Sequence, residues 1–170
     1  MVNLLAEAFL SIDLDTHGFS AITKLRPIKV GNQFIPTADF SATLGITKFA
    51  IELKVVRIEN NLQPDHPIGD PSKSYWWGKM FRANAITKIE DDNRKVIEQL
   101  NNTCKYMSCS HKLLVIHSFR LGPSILMDER EYINELQYLK NQFPEIDYFC
   151  SKDSSGDAIV IYPPMSKKRE

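Results

Sequence analysis

The chain has 170 residues, with 21 Lys plus Arg balanced by 21 Asp plus Glu and 43% hydrophobic residues. A single domain of that size buries about 70% of its unfolded surface, enough for a real core. Zero net charge argues against binding nucleic acid through bulk electrostatics, while leaving room for a local basic patch. No run approaches the roughly 20 apolar residues of a membrane span. The first residues lack the basic-then-apolar pattern of a signal peptide. Three cysteines, Cys104, Cys109 and Cys150, have no framework spacing and fit a reducing cytoplasm.

In chain order, Leu4, Leu5, Ala8, Phe9 and Ile12 recur at helical spacing and predict an amphipathic helix over 2–14, ended by His17-Gly18. A strand over 20–30 follows, with a turn at Gly31-Asn32, and then a hairpin over 33–58. Pro36 cannot donate to a ladder, so the second strand is expected to bend near its start. Residues 59–83 read as an insertion rich in Pro, Asp and aromatics. A helix then starts at a capping box, Thr87 with Glu90, with Asp91 and Asp92 at the positive end of its dipole. Ile89, Val96, Ile97, Leu100, Cys104 and Met107 form its apolar stripe. Leu113-Leu114-Val115-Ile116 predicts a central strand over 112–119, buried on both faces. Asp128 and Glu131 cap a helix through about Gln142, with Met127 and Tyr132 as its hydrophobic staple. Short strands over 146–150 and 157–162 complete one domain, and the basic end Lys167-Lys168-Arg169 is expected to fray.

Gly45-Ile46 is the centre of the hairpin. Gly in the first position suits a type II′ turn, because it takes positive φ without steric cost. That turn pairs Leu44 with Thr47 and Phe40 with Ile51, and sets Asp39 opposite Glu52. Cross-strand partners share a face, and alternation adds Lys54 to it. Phe40, Ala42, Leu44, Phe49, Ile51 and Leu53 then form an apolar face. Thr37, Asp39, Ser41, Lys48, Ala50, Glu52 and Lys54 form the other. Two readings of the second face stand: an ordinary wet surface, or a divalent-metal site. Opposed like charges destabilise a bare sheet, and a Mg²⁺ ion would relieve them. Lys54 would offset part of the repulsion without any metal.

Asp39 on one strand and Glu52-Leu53-Lys54 on the next resemble the PD-(D/E)XK nuclease family. Ala38 stands where that pattern has proline, and Pro36 lies two residues earlier. The resemblance covers about residues 1–120. It implies an α/β, restriction-endonuclease-like αβββαβ core, a mixed central sheet flanked by helices, with 121–165 as a C-terminal helix and strand extension. It also implies an endonuclease of restriction or repair and recombination type, cutting DNA with Mg²⁺ or substituting Mn²⁺. Asp39, Glu52 and the Leu53 carbonyl would hold the metal, and Lys54 would position the attacking water or stabilise the transition state. Glu7 stands where many such families carry an acid on the first helix. Gln99, with Lys95 beside it, is the polar helix residue that would complete the site. Thr103 stands where some branches have tyrosine. Family analogy adds a homodimer, since cutting a duplex takes two sites.

For substrate contact, residues 73–82 interleave cations with rings, and Lys73, Trp76, Trp77, Lys79 and Arg82, with Arg57, are the expected nucleic-acid-binding residues. Packing of Trp76, Trp77 and Phe81 onto the core is the competing reading. Cys104, Cys109 and His111 lack a fourth zinc ligand. His117 with Ser118 has no acidic partner in sequence. No glycine-rich phosphate loop exists. The alternative function is a catalytically inactive nuclease-fold module that binds nucleic acid or a protein partner.

Overall fold

The computed structural model describes residues 2–59, 72–121, 129–153 and 159–165. In chain order these form α1 (Val2–Thr16), β1 (Ser20–Lys24), β2 (Ile28–Val30), β3 (Gln33–Ile35), β4 (Phe40–Leu44), β5 (Thr47–Glu59), α2 (Ser72–Met107), β6 (His111–Leu121), α3 (Glu129–Gln142), β7 (Tyr148–Asp153) and β8 (Ile159–Tyr162). The α/β architecture is a mixed six-stranded sheet in the order β1-β4-β5-β6-β7-β8, flanked by helices. β1, β4 and β5 are antiparallel neighbours, β5, β6 and β7 are parallel, and β8 returns antiparallel to β7. Both parallel steps are crossovers through a helix, α2 and then α3. No described helix is long and apolar enough to cross a membrane.

The unbroken apolar run of β6 accounts for the layering. Leu114 and Ile116 enter one core with α2 and α3, while Leu113 and Val115 enter the other with α1. All four are buried, as a strand between two helical layers requires. α1 contributes Ala6, Leu10 and Leu14 at four-residue spacing and ends in a Schellman cap. There Gly18 (φ +85°) donates to Asp15 and Phe19 to Leu14.

Several boundaries differ from the sequence expectation, each for a physical reason. The strand expected over 20–30 is cut at Pro27, whose missing N–H interrupts the ladder. β2 and β3 form a separate two-stranded ribbon around Gly31-Asn32. The capping box at Thr87 is not a helix start. α2 begins at Ser72 inside the expected insertion, and Thr87 Oγ1 donates to Ala83 O at 3.0 Å in mid-helix. The helix breaks instead at Asp91–Arg94, with Asp91 extended and Asp92, Asn93 and Arg94 left-handed (φ +49°, +56° and +64°). Asp and Asn tolerate that region. Arg94 is tied down by Glu145 at 3.1 Å and lies over the Phe143 ring. Straight, 36 residues would reach about 54 Å, well past a small domain. The break lets the first arm bury Phe81, Ala85 and Ile89 and the second Val96, Ile97 and Leu100. α3 begins at Glu129; its expected cap, Asp128 with the staple residue Met127, lies outside the described residues.

Leu114 is fully buried at the centre of the sheet. Leu114→Ala is expected to lower the unfolding free energy by about 2–5 kcal/mol, measured by urea denaturation.

Candidate active site

The hairpin register is the one the turn chemistry implies: Leu44 pairs with Thr47 and Phe40 with Ile51. Gly45 has φ +60° while Ile46 does not enter positive φ, which is the type II′ signature. Phe40, Ala42, Phe49, Ile51 and Leu53 all enter the core under α1. Beyond Phe40–Ile51 the two acids take over from the ladder. Asp39 N donates to Glu52 Oε2 at 3.2 Å, and Leu53 N donates to Asp39 Oδ2 at 2.9 Å. Lys54 Nζ donates to Glu52 Oε1 at 2.6 Å. Asp39, Glu52 and Lys54 therefore meet.

The face carrying them is not the wet surface that alternation alone allows. The second arm of α2 covers it, leaving Thr37, Ser41 and Ala50 buried and Glu52 only 1% exposed. Helix side chains meet the polar backbone entering β4. Gln99 Nε2 donates to Thr37 O at 3.0 Å, and Asn102 Nδ2 donates to Pro36 O at 3.0 Å. Ala38 N donates to Thr103 Oγ1 at 2.7 Å. Thr103 is thus a buried acceptor for the residue before Asp39. Glu7 reaches the same place from α1 and is ion-paired with Lys24 of β1.

A cavity of about 290 Å³ opens beside this cluster, and Glu52 lies buried behind its wall rather than in it. Glu7, Asp39, Leu53, Lys54 and Gln99 contribute to its wall, and the interrupted stretch of α2 adds Lys88, Asp91, Asp92 and Lys95. Gln99 Oε1 is buried with no hydrogen-bond partner. Burial raises the Asp39 carboxyl above its ordinary value, partly offset by the Leu53 N–H and the Lys54 charge. Burial, and then the Asp39 charge, push Glu52 up to about 7. Two desolvated carboxylates that repel each other are a hard-oxygen donor pair suited to a divalent cation. Such an ion would offset both costs while keeping water ligands. Among the described residues no group of three or more His, Cys, Asp or Glu side chains could hold a metal. Ligation by Asp39 and Glu52 would therefore draw on a backbone carbonyl and water for the remaining positions.

The expected nucleic-acid residues are placed elsewhere or lie out of view. Arg82 is held by Glu135 of α3, with Nε–Oε2 2.5 Å and Nη2–Oε1 3.0 Å, and it stacks over Tyr138. Gly78 permits that contact, because a Cβ there would lie 3.0 Å from Glu135 Oε1. Lys79 is exposed on the same arm, and Phe81 is fully buried against Tyr132. The side chains of Arg57, Lys73, Trp76 and Trp77 lie outside those described. Cys104 packs against the core, and burial pushes its thiol up to about 11. Sequence reasoning did not find Lys24, Lys88 or Asn102, and it named Asp91 and Asp92 only for a helix dipole and Thr103 only as a departure from a family pattern. Their places follow from the helix break and the sheet order, which leave no local pattern.

The chain matches no protein-family model, and neither a curated protein nor a solved structure is significantly similar to it.

Because Glu52 titrates higher folded than unfolded, its protonated form favours folding. That contribution is complete below pH about 4.5 and is lost as pH rises through about 7. In EDTA, wild type is expected to lose about 3 kcal/mol across this window relative to Glu52→Gln, read by denaturant melts at several pH values. A pH-independent difference between the two would contradict the buried-carboxylate assignment.

Proposed function

We propose that the chain is a Mg²⁺-dependent deoxyribonuclease of the PD-(D/E)XK type. The observation that carries this reading is the meeting of Asp39, Glu52 and Lys54 on adjacent strands, with Asp39 and Lys54 opening on a cavity that also takes in Glu7 and Gln99 while Glu52 is buried beside it. The element order supports it. A helix, three antiparallel strands, a crossover helix and a parallel strand run in the αβββαβ sequence that the motif implies, with β7 and β8 as the extension. The β2–β3 ribbon and the broken α2 are additions to that plan.

Asp39 and Glu52 would hold the ion, with the Leu53 carbonyl beside them. When bound, the ion supplies Lewis acidity toward water and toward the phosphoryl oxygens. Lys54, fixed by Glu52, would offer an ammonium group to the negative charge developing on a phosphate and would orient the water. Flanked by carboxylates it is a positioning cation rather than a base. Lys88 and Lys95 bring two further cations to the cavity wall, alongside the acids Asp91 and Asp92.

A second reading has its own observation. Lys54 with Glu52 and Lys24 with Glu7 satisfy two of the acids internally, as a nuclease-fold module that binds without turnover would require. Metal and cleavage assays separate the two. Mg²⁺ or Mn²⁺ is expected to raise the Tm of wild type and not that of Asp39→Asn, by preferential binding to the folded state. Asp39→Asn and Lys54→Ala are expected to cut Mg²⁺-dependent DNA cleavage roughly 100-fold or more with the fold retained, followed on labelled DNA alongside circular dichroism. Full cleavage by either variant would overturn the assignment. Metal binding by wild type without cleavage of any DNA would leave the inactive module.

A further inference from the structure

The β2–β3 ribbon belongs neither to the six-stranded sheet nor to either core. Its register sets Lys29 directly opposite Phe34, so the two share one face, with Ile28 opposite Ile35 and Val30 opposite Gln33 on the other. Lys29 is exposed and Phe34 is 70% exposed. An isolated two-stranded ribbon is marginal in water, and a solvated phenyl ring adds little to it. The pairing of that ring with an ammonium group suits an outside surface offering a π-face and negative charge together. The surrounding charge points the same way: from Arg26 to Ala38 there are two cations and no carboxylate, in a chain whose charges cancel overall.

The root of the ribbon is the candidate site itself. Leu25 N donates to Asp39 O at 2.8 Å, and Thr37 Oγ1 donates to Arg26 O at 3.1 Å across its two legs. Gln99, Asn102 and Thr103 hold the outgoing leg at Pro36–Ala38. Three residues of strand reach about 10 Å from that anchor, the scale of a nucleotide or two.

We propose that the ribbon is an arm that holds a nucleic-acid strand beside the Asp39–Glu52 pair, Arg26 and Lys29 on phosphates and Phe34 stacked on an unpaired base. This rests on the nuclease reading for the nature of the substrate and refines it to DNA with unstacked bases. Phosphate contacts position the strand, and a ring accepts any base face without regard to sequence.

The test is fluorescence anisotropy of the full chain on a labelled single-stranded oligonucleotide and on its duplex, in EDTA so that binding is read without cleavage. Phe34→Ala is expected to weaken single-strand binding about tenfold, Phe34→Trp to retain it, and Lys29→Ala to lower the salt slope by about one unit. Because Phe34 is exposed, its variants are expected to melt as wild type does by circular dichroism. Unchanged affinity in both Phe34→Ala and Lys29→Ala would overturn the arm. A wild-type dimer that dissociates on Phe34→Ala with oligonucleotide affinity unaltered would assign the ribbon to a protein contact instead and overturn it too. Mg²⁺-dependent cleavage by wild type together with Phe34-independent binding removes the arm and leaves the nuclease. Phe34-dependent binding without cleavage removes the nuclease and leaves the arm, and no wild-type binding to either oligonucleotide removes both.

Discussion

The reciprocal bonding of Asp39 and Glu52 is the constraint on which this molecule turns. Each acid accepts the backbone N–H at or beside the other, so together they continue the β4–β5 pairing where the ladder ends. Side chains that perform this task cannot point into solvent. Two carboxylates are thereby held close together under a helix, where burial raises both their titration points and the Asp39 charge raises that of Glu52 further. The same geometry that closes the strand pair sets carboxylate oxygens of both acids on backbone and ammonium donors.

Much of the site was legible in the residues because strand pairing is a local code. A glycine-first turn sets the register, and the register decides which acids face each other. The double-sided apolar run at Leu113–Ile116 likewise announced a strand between layers. Burial of the polar face was not legible. Alternation separates the two faces of a strand but does not say what covers each, and here Gln99, Asn102 and Thr103 bring enough hydrogen-bonding capacity to seat a helix on polar backbone.

The α2 boundary failed for a related reason. Thr87 and Glu90 carry capping chemistry, yet a residue pattern of that kind is satisfied equally well in mid-helix, where Thr87 bonds to the preceding turn. What ends the first arm is tertiary: Glu145 and Phe143 engage Arg94 and hold it in a conformation its own preference disfavours. Arg82 shows the same override. Its place among cations and rings fits a phosphate contact, whereas Glu135 and Tyr138 from another helix claim it.

The three left-handed residues between the arms of α2 carry one more implication. Rotation at this joint would swing Lys88 and Asp91 relative to Lys95 and Gln99, since the former pair rides with one segment and the latter with the other. The wall of the cavity is thus drawn from two helical segments meeting at an elbow, so the relative placement of their side chains depends on backbone torsions at Asp91–Arg94. A variant that straightened or stiffened the elbow would retune access without touching a single group at the bottom of the cleft.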